Sequence, residues 1–289
     1  MYCKYVKYKT KYFDLKQLSC STLMPINILL VTHDSSIKCL LERIIPERMS
    51  FLRDKYNVEK IEIKNSSVLK LELNVTGPSV ISLIYEGQKP ENKTTANYLT
   101  MLQNTNEIYF NSVPINLSKF NITKLNNKVN IFIVRHAQAE HNVNRDNKNK
   151  DTLLTHYTGI QQSNNLGIAL RNILKGIPIN YLFASKLRRT RQTLGIVMGH
   201  ILTDPKDIII LPCLNELKMD KPGQCILKIP NKISIASQPV CNTNNDKCQM
   251  GDLCCEVNGR KINWDYYKRF NNNCLNTNII KLIIDYIQN

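Results

Sequence analysis

Three things are missing from this chain of 289 residues, and each absence narrows what it does. No stretch approaches the roughly 20 consecutive apolar residues of a membrane-spanning helix, so no membrane role is expected. Met1 to Gln17 is basic and aromatic and lacks the apolar core of a secretory signal. The ten cysteines include no Cys-x2-Cys pair. Their densest group, Cys241-x6-Cys248-x5-Cys254-Cys255, has no histidine nearby, so an inserted loop is preferred to a zinc site and no metal is expected. Without a secretory signal, that cysteine usage points to free thiols in a reducing compartment, the cytoplasm.

Acidic residues are also scarce, 23 against 39 basic ones, for a formal charge of +16 and a pI near 9.4. Such an excess invites a nucleic-acid partner. In residues 1–24, Lys4, Lys7, Lys9 and Lys11 interleave with Tyr2, Tyr5, Tyr8 and Tyr12, a composition that suits single-stranded nucleic acid. The plainer account is preferred. The chain is rich in Lys, Asn and Ile, its basic start reads as a tail, and a positive field equally serves a small phosphorylated substrate or phosphoprotein.

The stretch around which the rest is organised is Ile131-Phe132-Ile133-Val134-Arg135-His136. So apolar a run reads as a strand buried on both faces, as in parallel sheets, with Arg135 and His136 at its C-terminal edge. Open α/β sheets bind ligands at that edge, and an arginine beside a histidine suits an anionic phosphate. A second run of this kind, residues 26–32, leads to His33. A helix is expected from Asp34 to about Ile45, begun by Asp34-Ser35-Ser36 and stopped by Pro46. Strands are expected at Val58–Ile63, Ser67–Leu73, Val80–Tyr85 and Glu107–Phe110. After the Ile131 strand come a helix over 156–174, a strand over 180–184, a helix over 188–202 and a strand over 208–211. Two further helices are expected at Trp264–Phe270 and Ile279–Ile287. Alternating strands and helices predict an α/β fold, a mostly parallel sheet flanked by helices on both faces.

Arg135-His136-x5-Asn142 resembles the signature of the histidine phosphatase (phosphoglycerate-mutase-like) superfamily. Three further segments agree. Leu154-Thr155, Gly159, Gln162 and Leu166-Gly167 match its following helix, Ser185-x-Leu187-x-Arg189-Thr190-x-Gln192-Thr193 its second arginine motif, and Leu214-Asn215-Glu216 its acidic motif. The family also has a second histidine late in the chain, whereas the 89 residues after His200 contain none. The segment leading to His33 resembles that missing part, which implies a circular permutation. Residues 25–289 would form one domain. They divide into the permuted second-histidine segment (25–73), a connecting insert (74–128), the main catalytic segment (129–217), a cysteine-containing insert (218–262) and C-terminal helices (263–289). The strands ending at His33 and His136 should then be parallel neighbours.

The resemblance implies a role for each motif residue. His136 is the nucleophile that takes up the phosphoryl group, Arg135 and Arg189 grip its oxygens, and His33 donates to one of them. Glu216 is the general acid, and Asn142 contacts phosphate or fixes the loop. No cofactor is implied. His141, His156 and His200 match no motif position and are read as structural, with Arg188 and Arg191 as solvated helix-face charges. Ala137 and Asp34 stand where the family has glycine. A carboxylate at Asp34 would repel phosphate, so it is expected to point away and cap its helix. The implied activity is metal-independent phosphomonoester hydrolysis through a phosphohistidine. A phosphoglycerate-mutase-type phosphotransferase is the enzymatic alternative, and an inactive binding module with a basic surface the non-enzymatic one.

Overall fold

Strand β1, Ile26–Thr32, is buried along all but its first residue, and β5, Val129–Arg135, along its whole length. The structure, a computed structural model, describes residues 24–47, 49–50, 63–87, 112–115, 125–144, 151–205, 207–215, 217–221, 224–227, 256–265 and 279–288. Strands this apolar on both faces need cover on both sides, and the helices supply it. After β1 come α1 (Asp34–Ile44), β2 (Val68–Leu73), β3 (Ser79–Tyr85) and β4 (Val113–Ile115). After β5 come α2 (Glu140–Val143), α3 (Thr158–Leu174), β6 (Tyr181–Ala184), α4 (Arg188–Met198) and β7 (Asp207–Ile210). A hairpin of β8 (Leu217–Lys221) and β9 (Gln224–Leu227), then β10 (Glu256–Val257), β11 (Arg260–Asn263) and α5 (Ile279–Gln288) complete the described strands and α-helices.

Nine strands form one sheet in the order β10-β11-β7-β6-β1-β5-β2-β3-β4. Its centre is parallel, from β11 through β7, β6 and β1 to β5, and antiparallel strands extend both ends. The alternation of side chains sorts the core into two layers. Ile28, Leu30, Ile131 and Ile133 pack with α1 and α5 through Ile37, Leu41, Ile280 and Ile283. Leu29, Val31, Phe132 and Val134 pack with α3 and α4 through Leu166, Leu170, Leu194 and Val197. Truncating any of these large side chains to alanine costs about 2–5 kcal/mol, because the close-packed layers cannot collapse into the gap.

The central feature is the pairing of β1 with β5. They are adjacent and parallel, in a register that sets Thr32 opposite Arg135. The residues that follow are His33 and His136, so both imidazoles leave the sheet side by side at its C-terminal edge. His136 N–H donates to Thr32 O at 3.0 Å and holds the two strand ends together.

Several expectations need correction. Residues 260–262, expected in an inserted loop, and Asn263, expected in the C-terminal helical segment, are β11, which adds to the sheet in parallel beside β7. Helix α4 ends at Met198, so His200 lies past it and its Nε2 sits 2.9 Å from Asn164 Oδ1. Cys39 and Cys213 are each disulfide-bonded rather than free thiols. Among the described residues no helix is long and apolar enough to cross a membrane. The expected strands at 58–62 and 107–110, most of the expected 264–270 helix, residues 1–23, and the cysteines from Cys241 to Cys255 lie outside the described residues.

Candidate active site

His33 and His136 are almost wholly buried, at 2% and 3% exposure, with ring centroids 5.0 Å apart. Their hydrogen bonds assign the tautomer of each. His136 Nδ1 lies 2.7 Å from the carbonyl of Ala137, which only accepts, so Nδ1 carries the proton and Nε2 presents a lone pair. Arg189 donates to that lone pair, its Nε 3.2 Å away.

For His33 the assignment runs through two hydroxyls. Thr190 Oγ1 is 2.7 Å from Leu187 O, a carbonyl, and must donate there. At its 2.9 Å contact with Ser185 Oγ it therefore accepts, and the single Ser185 proton is spent on it. Ser185 Oγ then accepts from His33, 2.8 Å away, which puts the His33 proton on Nε2. The buried Nδ1 of His33 has no hydrogen-bond partner among the described residues. Burial pushes both histidines well below the ordinary imidazole range, and the Arg189 guanidinium adds to the effect, with smaller contributions from Arg135, His141 and, for His136, His33. Both rings are neutral at pH 7.

Arg189 is 2% exposed in the first turn of α4, where the register of β6 and the Ser185–Leu187 turn aim it at His136. Arg135 ends β5 with its Nη1 donating to Ile63 O, and its buried Nε has no partner among the described residues. Two guanidinium groups beside two neutral imidazoles leave the site with excess positive charge, the arrangement that favours an anion.

The turn at 64–67 closes one side. Ser66, at φ +64°, donates its N–H to Arg135 O at 3.1 Å, and Arg135 N–H donates to Ser67 O at 3.1 Å. Opposite it, residues 137–142 are zipped onto 152–155. Glu140 N–H donates to Leu153 O and Thr155 N–H to Gln138 O, each at 3.0 Å. Ala137 N–H is held by Thr193 Oγ1 at 3.1 Å and Gln138 N–H by Gln162 Oε1 at 2.8 Å, so α3 and α4 fix the backbone around the nucleophile candidate.

The structure thus brings together His33, His136, Arg135 and Arg189, four of the six residues singled out from the sequence. Glu216 lies outside the described residues, although Leu214 and Asn215 just before it are bonded through their carbonyls to Thr32 Oγ1 and Ser36 Oγ, each at 2.7 Å. Asn142 holds the loop, its Oδ1 accepting from Ala139 N–H at 2.9 Å.

Three readings change. Asp34 does not cap α1, whose N-cap position is taken by His33 with no side-chain cap. The Asp34 carboxylate instead accepts from Ile63 N–H at 3.0 Å and pairs with Lys38 at 2.6 Å. Arg191 is buried against Trp264, 5.5 Å from the ring centroid, rather than solvated. His141, read as structural, lies with its ring 5.7 Å from that of His136. Its place in the loop between the nucleophile candidate and Asn142 was the available signal. Among the described residues no three His, Cys, Asp or Glu side chains are grouped to hold a metal ion.

Comparison with known proteins finds a match over part of the chain. Residues 131–223 match the histidine phosphatase superfamily (branch 1). A broad-specificity phosphatase from Saccharomyces cerevisiae is 41% identical over 76 residues, which is 26% of this chain and 32% of the yeast protein. The chain therefore spans about a third of the length of that curated relative. No solved structure matches.

Proposed function

We propose that this chain, whose residues 131–223 match the histidine phosphatase superfamily, is a metal-independent phosphomonoester hydrolase acting through a phosphohistidine on His136. The observation that carries the proposal is the tautomer of His136. Its Nδ1–H is held by Ala137 O, and its Nε2 lone pair lies in a buried, cation-lined site. Phosphoryl transfer asks for a neutral nucleophile and cations placed on the equatorial oxygens.

In the first step Nε2 forms a bond to phosphorus while the bond from phosphorus to the ester oxygen breaks. The leaving oxygen takes a proton from the general acid, the role proposed for Glu216, whose preceding residues are tied to the His33 strand and helix. Ala137 O stabilises the positive charge that develops on the ring through Nδ1–H. Arg189, which donates to Nε2, turns its donors to phosphoryl oxygens when substrate binds, joined by Arg135. His33, kept neutral chiefly by burial and by the neighbouring cations, serves the same oxygens from Nδ1 once a bound dianion favours its taking up a second proton. Water then attacks phosphorus, the bond to Nε2 breaks, and Glu216 as the carboxylate takes the water proton. The yeast relative's description as a broad-specificity phosphatase supports hydrolysis over mutase chemistry.

The permutation belongs to the same proposal. The family match begins at Ile131, while β1, which carries the second histidine, precedes it in the chain yet lies in the sheet between β5 and β6. Residues 25–289 then form one domain. A cytoplasmic setting is proposed with it. Alkylation of Cys39 and Cys213 during rapid isolation tests the compartment: alkylated thiols support it, and persistent disulfides place the protein in an oxidising one.

The activity test is hydrolysis of an aryl phosphate by the wild type, His136→Ala and His33→Ala, with and without chelator, and rapid quench to trap an acid-labile, base-stable phosphoenzyme. Survival under chelation with collapse in both variants is expected. An inert wild type across sugar, nucleotide and glycerate phosphates refutes the reading.

A further inference from the structure

His141 is the third imidazole of the site, and nothing in the family signature accounts for it. Its hydrogen bonds form a chain in which each partner's role is forced by the one before. Ala139 N–H is a donor, so Asn142 must offer it the oxygen Oδ1, at 2.9 Å. The other end of the Asn142 amide is then the NH2 group. Its Nδ2 lies 3.1 Å from His141 Nε2, which therefore accepts. With Nε2 unprotonated, His141 carries its proton on Nδ1 and donates it to Thr152 Oγ1 at 3.0 Å. Thr152 is buried, and the same oxygen lies 3.3 Å from the His141 backbone N–H.

Two consequences follow. A primary amide that uses its oxygen and one of its two hydrogens has one hydrogen left. That hydrogen belongs to a group bonded to a ring whose centroid is 5.7 Å from that of His136. The amide has also lost its freedom to flip, since a flipped Asn142 would set its NH2 against Ala139 N–H and its oxygen against a lone pair of His141.

We propose that His141 is a positioning residue: as the Nδ1–H tautomer it holds the Asn142 amide in one orientation, leaving one Nδ2 hydrogen for an oxygen of the phosphoryl group transferred to His136. The inference rests on the phosphohistidine reading above. It assigns Asn142 both roles left open from the sequence: its oxygen fixes the loop and its nitrogen serves phosphate. His141 must stay neutral for this. A proton on Nε2 removes the acceptor for Asn142 and adds a charge facing His136, His33, Arg135 and Arg189.

The test is the affinity of inorganic phosphate, measured by calorimetry, for the full chain and for His141→Phe, Asn142→Ala and the double variant. A hydrogen bond to a charged ligand is worth about tenfold in affinity. Each single variant is expected to weaken phosphate by about that factor, with the double variant no weaker than either single one. His141→Gln, which keeps an acceptor for the Asn142 amide, should recover most of the loss. Nitrogen-15 shifts of the His141 ring in the wild type should report the Nδ1–H tautomer. Where His141→Phe fails to fold, Thr152→Val removes the acceptor of Nδ1–H at nearly constant volume and should weaken phosphate in the same direction.

Unchanged phosphate affinity in the folded His141 or Thr152 variants overturns the proposal, as do additive losses in the double variant or a ring protonated on Nε2 near neutral pH. The hydrolase reading fails separately. A wild type that binds phosphate through this pair and turns over no phosphoester would sink that reading and leave the role of His141 standing.

Discussion

Replacing Asp34 with glycine, the residue the family places after its second histidine, is expected to impair this protein rather than improve it. Asp34 is a strut. One carboxylate oxygen accepts from Ile63 N–H at 3.0 Å and the other pairs with Lys38 at 2.6 Å, while the carbonyl of Ile63 accepts from Arg135 Nη1. The carboxylate thus holds the backbone segment that orients Arg135, proposed above to grip phosphate. The hydrogen bond to a charged acceptor is worth about 1.5–3 kcal/mol. The ion pair, one turn apart on α1 and partly exposed, adds about 0.3–0.5 kcal/mol after screening. Glycine in the helix costs up to about 1 kcal/mol more. Asp34→Gly should therefore lose about 2–4 kcal/mol in urea unfolding, and kcat/KM on an aryl phosphate should fall about tenfold as Arg135 loses its brace. Asp34→Asn separates the two contributions, since its amide oxygen still accepts from Ile63 N–H. It should lose about 1 kcal/mol or less and keep most of its activity. If Asp34→Gly matches or exceeds the wild type in kcat/KM, the strut is wrong and Asp34 is simply a repulsive charge near phosphate.

Gly87→Ala should be far more damaging than its size suggests. A Cβ there would stand 1.7 Å from Asn65 O and 2.6 Å from Ser67 N, both backbone atoms of the turn that grips Arg135, so a loss of about 1–3 kcal/mol in urea unfolding with reduced activity is expected. Gly77→Ala, at φ +83° in open space, should cost about 1 kcal/mol and leave activity alone. Because His33 and His136 have lowered folded-state pKa values, the unfolded chain binds more protons as pH falls through about 6.5. Stability is thus fully present above that pH and is lost on acidification, by up to about 1.4 kcal/mol per pH unit per histidine, until the lower folded values are reached. His33→Gln and His136→Gln should each flatten the slope of urea midpoint against pH, and unchanged slopes would contradict the burial of neutral imidazoles. Finally, a chain that starts at residue 125 and runs through 289 into residue 24 should fold and hydrolyse aryl phosphate, because β1 and β5 pair through space rather than through their order in the chain. An insoluble or inert product would count against the permutation.

What the sequence by itself determined is whatever depends on local pattern. Continuous apolar runs ending in His33 and His136 announced strands buried on both faces, and period-3.6 patterning placed α3 and α5 to within two residues of where they lie. The grouping of Arg135, Arg189 and two histidines at one edge of the sheet was legible because these residues sit at strand and helix ends, where local signals are strongest. What only the tertiary structure decided depends on partners distant in sequence. Arg260–Asn263 carries too short and polar a pattern to announce a strand, and becomes one because the edge of β7 offers it unpaired backbone groups. Local pattern points Asp34 to capping, the usual role of an acidic residue at a helix start, whereas its carboxylate is spent on Ile63, 29 residues away, and on Lys38. Arg191 is buried because Trp264 packs over it. The tautomers of His33, His136 and His141 follow from Ser185, Ala137, Asn142 and Thr152. A proton's position is fixed by the directions of donors and acceptors in space, which no periodicity along the chain encodes.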